Sequence, residues 1–248
     1  MSLTQPNTLQ NNSDDYELAI SLENIVKFYK KNNENIKVLV NASLKVKKGE
    51  MISIMGPSGV GKSTLLDIIS GVKTIEEGTV TILDNKINLL SEKKRTEIRG
   101  RYIGFIFQFY YLIPVLNTWK NVELPLGLWE MTKDERKFRV NTALDIVEMK
   151  HRLKHFPHEL SGGEQQRVAI ARAIVGNPEI LLCDEPTGDL NKEMGKNIME
   201  LLRKLCVDFK KTVVVVTHDP EVALFADRHF HLKEGTLNEY FIDHKGIV

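Results

Sequence analysis

Residues 51 to 63 read Met-Ile-Ser-Ile-Met-Gly-Pro-Ser-Gly-Val-Gly-Lys-Ser, and the architecture can be laid out from this stretch. Met51 to Met55 carries no charge, as expected of a strand covered on both faces of a sheet. It runs straight into Gly56-Pro57-Ser58-Gly59-Val60-Gly61-Lys62-Ser63, which fits G-x-x-x-x-G-K-[ST]. Lys62 to Ser70 then reads as a helix. Gly56, Gly59 and Gly61 let the backbone curl so that several amide hydrogens face one anion, and the helix adds the positive end of its dipole. Lys62 offers a point charge for β- and γ-phosphates, and the Ser63 hydroxyl suits a magnesium ligand. The loop implies a nucleoside triphosphate. It does not fix the enzyme class, because many unrelated kinases, GTPases and motors share it.

Outward from this loop, residues 18 to 28 and 37 to 46 alternate partly, as in strands with one buried face. Gly78 to Leu83 and Tyr102 to Phe107 read as further strands. Between about 110 and 160 the texture changes, and Thr132 to Met149 has helical periodicity with Thr132 as N-cap. A helix over 164 to 175 leads to the apolar strand Ile180 to Cys183, followed by a helix from about 191 to 208 and the strand Thr212 to Val216. Alternating β and α segments with fully apolar strands predict a mostly parallel sheet with helices on both faces. Two strands end in chemistry-bearing residues. Ile180 to Cys183 delivers Asp184 and Glu185 at its C-terminal end, where α/β sheets bind ligands. Asp184 suits a magnesium ion, and Glu185 is free to orient or deprotonate an attacking water. Val213 to Val216 ends in Thr217-His218-Asp219, which places His218 on the same edge of the sheet.

Residues 160 to 167, Leu-Ser-Gly-Gly-Glu-Gln-Gln-Arg, narrow the choice. Ser161, Gly162 and Gly163 stand where a helix begins, with a cap hydroxyl, bare amides and a dipole end suited to a phosphate. With the glycine loop upstream and the acidic strand end downstream, the chain resembles the nucleotide-binding subunits of ATP-binding-cassette (ABC) transporters. The resemblance runs from about residue 18 to 240. Ile54-Met-Gly-Pro-Ser-Gly, Ile103-Gly-Phe-Ile-Phe-Gln, Asn121-Val-Glu-Leu-Pro-Leu126, Asp184-Glu-Pro-Thr-Gly188 and Val216-Thr-His-Asp-Pro220 are similar to the lipoprotein-release and macrolide-export branch.

The resemblance implies a P-loop α/β core with an N-terminal antiparallel β-subdomain and a helical subdomain inserted at about 110–165. It makes 18–240 one domain, with a flexible polar tail at 1–17 and a C-terminal tail at 241–248. It implies ATP and Mg2+ as ligands. ATP contacts fall to Tyr29 (on adenine), Gly56, Pro57, Ser58, Gly59, Gly61, Lys62, Ser63 and Thr64, and to Ser161, Gly162 and Gly163 of the opposite copy. Ser63, Gln108 and Asp184 would hold magnesium, and Glu185, His218, Gln108 and Lys62 would serve catalysis. Partners are then a second copy, brought in by ATP, and an integral membrane permease-type subunit; Phe109 to Leu116 would form the coupling surface. One departure stands out: where the family pattern ends in Leu-Asp, this chain has Asp189-Leu190-Asn191. Asn191 still caps a helix, but the charge that serves coupling between paired sites is lost.

Composition narrows the alternatives. The 248 residues carry a net charge of +1 with 27% charged side chains, which gives no support to a nucleic-acid partner. No apolar run approaches the ~18 residues of a membrane span, and the N-terminal stretch lacks the pattern of a secretory signal. Together with these absences, the family resemblance implies a location on the cytoplasmic face of the cell membrane, through a membrane subunit. Cys183 and Cys206 have neither metal spacing nor redox pairing. His151, His155 and His158 lack a completing carboxylate or thiol, and Pro157 interrupts their helix. Two other readings stay open: a soluble ABC ATPase not engaged in transport, and a P-loop kinase, which would leave residues 160–167 without a purpose.

Overall fold

A computed structural model describes residues 17–31, 34–243 and 246–247. Apart from Glu17, the tail expected over 1–17 lies outside the described residues. The chain is an α/β protein with two main sheets. Strands β1 (Leu18–Lys31), β2 (Glu34–Lys47), β3 (Met51–Met55), β4 (Glu77–Ile82), β5 (Asn85–Lys86), β6 (Ile103–Phe107), β7 (Ile180–Asp184), β8 (Thr212–Thr217), β9 (Arg228–Lys233) and β10 (Thr236–Tyr240) are joined by helices. These are α1 (Lys62–Ile69), α2 (Glu92–Tyr102), α3 (Thr118–Glu123), α4 (Lys133–Ile146), α5 (Gly162–Ile174), α6 (Lys192–Phe209) and α7 (Pro220–Ala223). One sheet has the order β2-β1-β4-β5 and is antiparallel. The other runs β10-β9-β3-β8-β7-β6, parallel except for β10 at its edge. At the C-terminus, Ile242–Asp243 pairs antiparallel with Gly246–Ile247.

The parallel strands look uniformly apolar because each face enters a different core. Met51, Ile106, Leu181, Cys183, Val213 and Val215 face one cluster, shared with α4, α5 and α6. Ile52, Ile54, Leu182, Val214 and Val216 face the other, shared with α1 and the antiparallel sheet. The period of two in a strand sends alternate side chains to opposite faces, so continuous apolarity is the signature of burial on both sides. All of these helices except α1 begin at a residue whose side chain caps the first turn. The side chains of Thr132 and Asn191 accept N–H bonds from Glu135 and Met194, at 3.2 and 2.9 Å.

Helix α2, the β9–β10 hairpin and the short elements β5, α3 and α7 have no counterpart in the sequence reading. Helix α2 buries only Ile98, so it carries no apolar stripe of period 3.6 to announce it. The β9–β10 hairpin turns at Glu234 and Gly235, both at positive φ (50° and 80°), a tight two-residue turn without the Asn or Asp that signals one. Strands β1 and β2 also extend beyond the expected spans, because ladder pairs such as Lys30 with Asn35 and Lys31 with Glu34 continue the hairpin through polar sequence.

Truncating Leu182, which is fully buried in β7, costs about 2–5 kcal/mol because it leaves a cavity. Thr132→Ala costs about 1 kcal/mol through the lost cap. Urea denaturation of both variants measures the difference, and equal losses would contradict this packing.

Candidate functional site

Parallel register brings the functional residues together. Phe107 pairs with Asp184, Asp184 with Val216, and Met55 with Thr217. The residues just beyond these positions (Gln108, Glu185, His218 and Gly56) therefore emerge side by side at the C-terminal edge of the sheet, where α/β folds bind ligands. Gln108, Glu185 and His218 border a cleft of about 490 Å³, lined also by Ser58, Gly59, Gly61, Ser63 and Thr64; Gly56 and Pro57 lie outside this lining.

The glycine loop is shaped by close approach. Gly61 sits at φ 114°, and a Cβ there would lie 2.6 Å from the Val38 side chain. No side chain caps the start of α1, and its first amides have no intrahelical acceptor. The Lys62 ammonium, only 7% exposed, donates to the carbonyls of Gly56 (2.7 Å) and Pro57 (3.2 Å) and lies 3.5 Å from Glu185 Oε1.

Glu185 is the hub. Its side chain is 14% exposed and its backbone is at φ +48°, a left-handed conformation that costs a non-glycine residue about 1–3 kcal/mol and clusters at functional sites. The amide of Glu185 donates to Val216 O at 3.0 Å, which fixes the turn. Its second oxygen accepts the His218 N–H at 3.3 Å and lies 3.0 Å from His218 Nδ1. Because a carboxylate accepts, Nδ1 carries the proton and Nε2 is left for another partner. Asp184 accepts from the Ser63 hydroxyl, yet burial pushes its carboxyl above the usual range. The Ser63 bond and the Lys62 charge pull it back down, while Glu185 adds to the rise. A hydroxyl and a carboxylate bonded to each other form a donor set that fits a hard cation such as Mg2+.

Gln108 lies against Gly188, where a Cβ would come within 2.9 Å of the Gln108 Nε2 atom, so the bare glycine leaves room for that amide. Tyr29 stands off the cleft lining. Its hydroxyl is 3.4 Å from Thr64 Oγ1, and the ammonium groups of Lys27 and Lys73 lie 5.4 and 5.3 Å from its ring centre. Ser161, Gly162 and Gly163 are not brought to the cleft. Ser161 caps α5 in a reciprocal box with Glu164, and none of the three lines the cavity. One chain therefore holds the glycine loop and the capped glycine pair as separate surfaces.

Several contacts escaped the sequence reading. Gln166 is fully buried and donates to Pro186 O (2.6 Å) and Phe107 O (3.3 Å), which ties α5 to both acidic-edge strands. Phe105, Phe107 and Tyr111 form an aromatic ladder beside Gln108, with centroids 5.2 and 5.1 Å apart; the i, i+2 spacing in β6 was the available signal. Of the expected coupling segment, Phe109, Tyr111 and Val115 are exposed. Tyr110 is buried, beside Asp189 and Gly162.

Comparisons with known proteins agree with this geometry. Residues 39–188 match the model of the ABC transporter family. The ABC transporter ATP-binding protein MJ0796 of Methanocaldococcus jannaschii is 49% identical over 220 residues, which cover 87% of this chain and 94% of that one. The lipoprotein-releasing system ATP-binding protein LolD of Bordetella pertussis is 40% identical over 235 residues, covering 95% and 99%. A dimeric, post-hydrolysis structure of MJ0796 bound to ADP and Pi superposes with a TM-score of 0.81 at 47% identity, over 89% and 97% of the two chains. The structure of cbiO1 from Clostridium perfringens, part of a cbiONQ transporter complex, gives 0.82 at 29% identity over 90% and 87%. This chain belongs to the ABC transporter family, as one of its ATP-binding cassettes.

Proposed function

We propose that two copies of this chain close head to tail on two ATP molecules, hydrolyse them with magnesium, and use closing and reopening to drive a membrane partner. The observation that carries the reading is the Lys62–Glu185–His218 chain beside the Ser63–Asp184 pair, with Ser161 to Gly163 turned away from it in the same copy. A second copy supplies what the first lacks.

Gly56, Pro57, Ser58, Gly59 and Gly61 wrap the phosphates, Thr64 adjoins them, and Tyr29 takes the base by stacking, which tolerates any base. Lys62 exchanges its two carbonyl partners for phosphate oxygens. That exchange loosens its hold on Glu185 Oε1, which then accepts the proton of the attacking water. Water oxygen bonds to the γ-phosphorus, the bond to the β-phosphate oxygen breaks, and ADP leaves with the electron pair. His218 fixes the other Glu185 oxygen through Nδ1 and, in the imidazolium form that also carries a proton on Nε2, donates that N–H to the γ-phosphate, while Gln108 orients the water. Ser63, Gln108 and Asp184 would hold magnesium, which supplies positive charge against that building on the transferred group. Ser161, Gly162 and Gly163 of the partner copy complete the γ-phosphate site at a helix start.

A membrane partner is supported by an apolar groove of about 430 Å³ between β6 and the helical region, bordered by Phe105, Tyr111, Leu128 and Trp129. Leu128 is 82% exposed there, and exposed apolar patches of this kind mark interaction sites. No described helix is long and apolar enough to cross a membrane; in this reading the groove is where the membrane partner docks. The name of the Bordetella relative, part of a lipoprotein-releasing system, agrees with export or lipoprotein release as the work done. Transmembrane mechanical signalling is the third form such work takes in this branch.

Glu185→Gln keeps ATP and lowers turnover about 10²–10⁴-fold while accumulating an ATP-bound dimer; phosphate release and sedimentation measure both, and turnover at the normal rate would remove Glu185 from its role. Asp184→Asn separates stability from activity. The native Asp184 pKa lies above its unfolded value, so its charged form costs stability at neutral pH and the cost disappears as pH falls below both values. Asp184→Asn therefore stabilises the nucleotide-free protein at pH 7, with a shrinking gain toward acid pH and loss of magnesium-dependent hydrolysis. Thermal melts across pH check the sign. Purification in detergent recovers the chain with an integral membrane protein; recovery with RNA or DNA would favour the soluble alternative.

A further inference from the structure

The amides of Gly162 and Gly163 open α5 and have no acceptor within the helix, but the next residue is an acid. Glu164 Oε2 accepts the Ser161 N–H at 2.9 Å, and the Ser161 hydroxyl accepts the Glu164 N–H at 3.3 Å. This reciprocal cap fixes the helix start. It also sets a carboxylate within one turn of the amides assigned to a γ-phosphate, where like charges repel.

Arg152 answers that charge. It ends a short 3₁₀ turn, Lys150–Arg152, on a segment separate from α5. Its Nε donates to Glu164 Oε1 at 2.9 Å, and one terminal nitrogen lies 3.2 Å from His155 Nε2. His151 Nε2 stands 4.0 Å from the same Glu164 oxygen. The Arg152 and Glu164 side chains are 37% and 24% exposed, so the pair is only partly screened by water. Neither residue lines the nucleotide cleft.

We propose that Arg152 is a positioning residue that neutralises Glu164, so that the capped start of α5 accepts the triphosphate bound by a partner copy. The inference rests on the head-to-tail reading. It separates two effects of one carboxylate: Glu164 orders Ser161 through a hydrogen bond that a glutamine also makes, and Arg152 removes the charge that comes with it. Loss of Arg152 leaves the cap standing and exposes a negative charge to the incoming phosphate.

The test uses the full chain carrying Glu185→Gln, with the dimer fraction followed by sedimentation against ATP concentration. Binding of a fluorescent ATP analogue to the dilute monomer is measured alongside. Arg152→Ala raises the ATP needed for half-dimerisation roughly tenfold and leaves monomer binding within about twofold. Adding Glu164→Gln to Arg152→Ala returns the requirement to within about threefold of the starting value, whereas a merely structural arginine would not be rescued by removing a charge. Arg152→Gln serves in place of the alanine variant where that one does not fold. An unchanged ATP requirement in Arg152→Ala, or no recovery in the double variant, overturns the proposal. If the Glu185→Gln chain itself forms no ATP-dependent dimer, the head-to-tail reading falls and takes this inference with it. Where that dimer forms, a negative result counts against Arg152 alone.

Discussion

A buried ammonium has to be answered wherever it sits, and in this chain the answer organises the site. Lys62 is held by two carbonyls of its own loop and by Glu185. Stripping it of partners would cost several kcal/mol. Glu185 is in turn held by His218 and by a left-handed backbone anchored to Val216. The glycine loop, the β7 end and the β8 end are thus tied together through charges that a triphosphate is suited to rearrange. In the proposed cycle, phosphate oxygens take over the lysine, and the glutamate is released for proton transfer only when substrate is in place. Binding and activation are then one exchange of partners.

Much of this was legible in the sequence because backbone chemistry carries it. The glycine loop needs glycines for curvature, as Gly61 illustrates, and the catalytic edge needs apolar strands followed by polar residues. Both patterns are local. Parallel register then does the rest, since aligning Phe107, Asp184 and Val216 brings their successors together without any further signal. Features that depend on contacts between distant segments were not legible. Gln166 bridging Phe107 and Pro186, Gly188 making room for Gln108, and Arg152 facing Glu164 join residues 12 to 80 positions apart in sequence. Helix α2 stayed hidden for a different reason. It has almost no buried face, and a helix without an apolar stripe leaves no periodic trace.

The departure in the loop after β7 now has a structural setting. Asn191 keeps the capping role on α6, so the helix start is intact without the acid. A negative charge is nevertheless present two residues earlier, at Asp189 beside the buried Tyr110 hydroxyl. Burial, reinforced by that carboxylate, pushes the Tyr110 phenol above its usual range. The same phenol is the first atom a side chain at Gly162 would meet, at 3.0 Å. The glutamine segment, the loop after Glu185 and the start of α5 consequently meet around one aromatic ring.

What unites these features in the proposed cycle is a division of labour: the cleft and the capped start of α5 are separate surfaces in a single copy and would be completed across a pair. A structure of the Glu185→Gln chain loaded with ATP measures this most directly, through the distance from Ser161 Oγ of one copy to the nearest γ-phosphate oxygen in its mate. Hydrogen-bond range, about 2.5–3.3 Å, is the expected result. A serine lying more than about three such lengths from every γ-phosphate in the assembly would contradict the account.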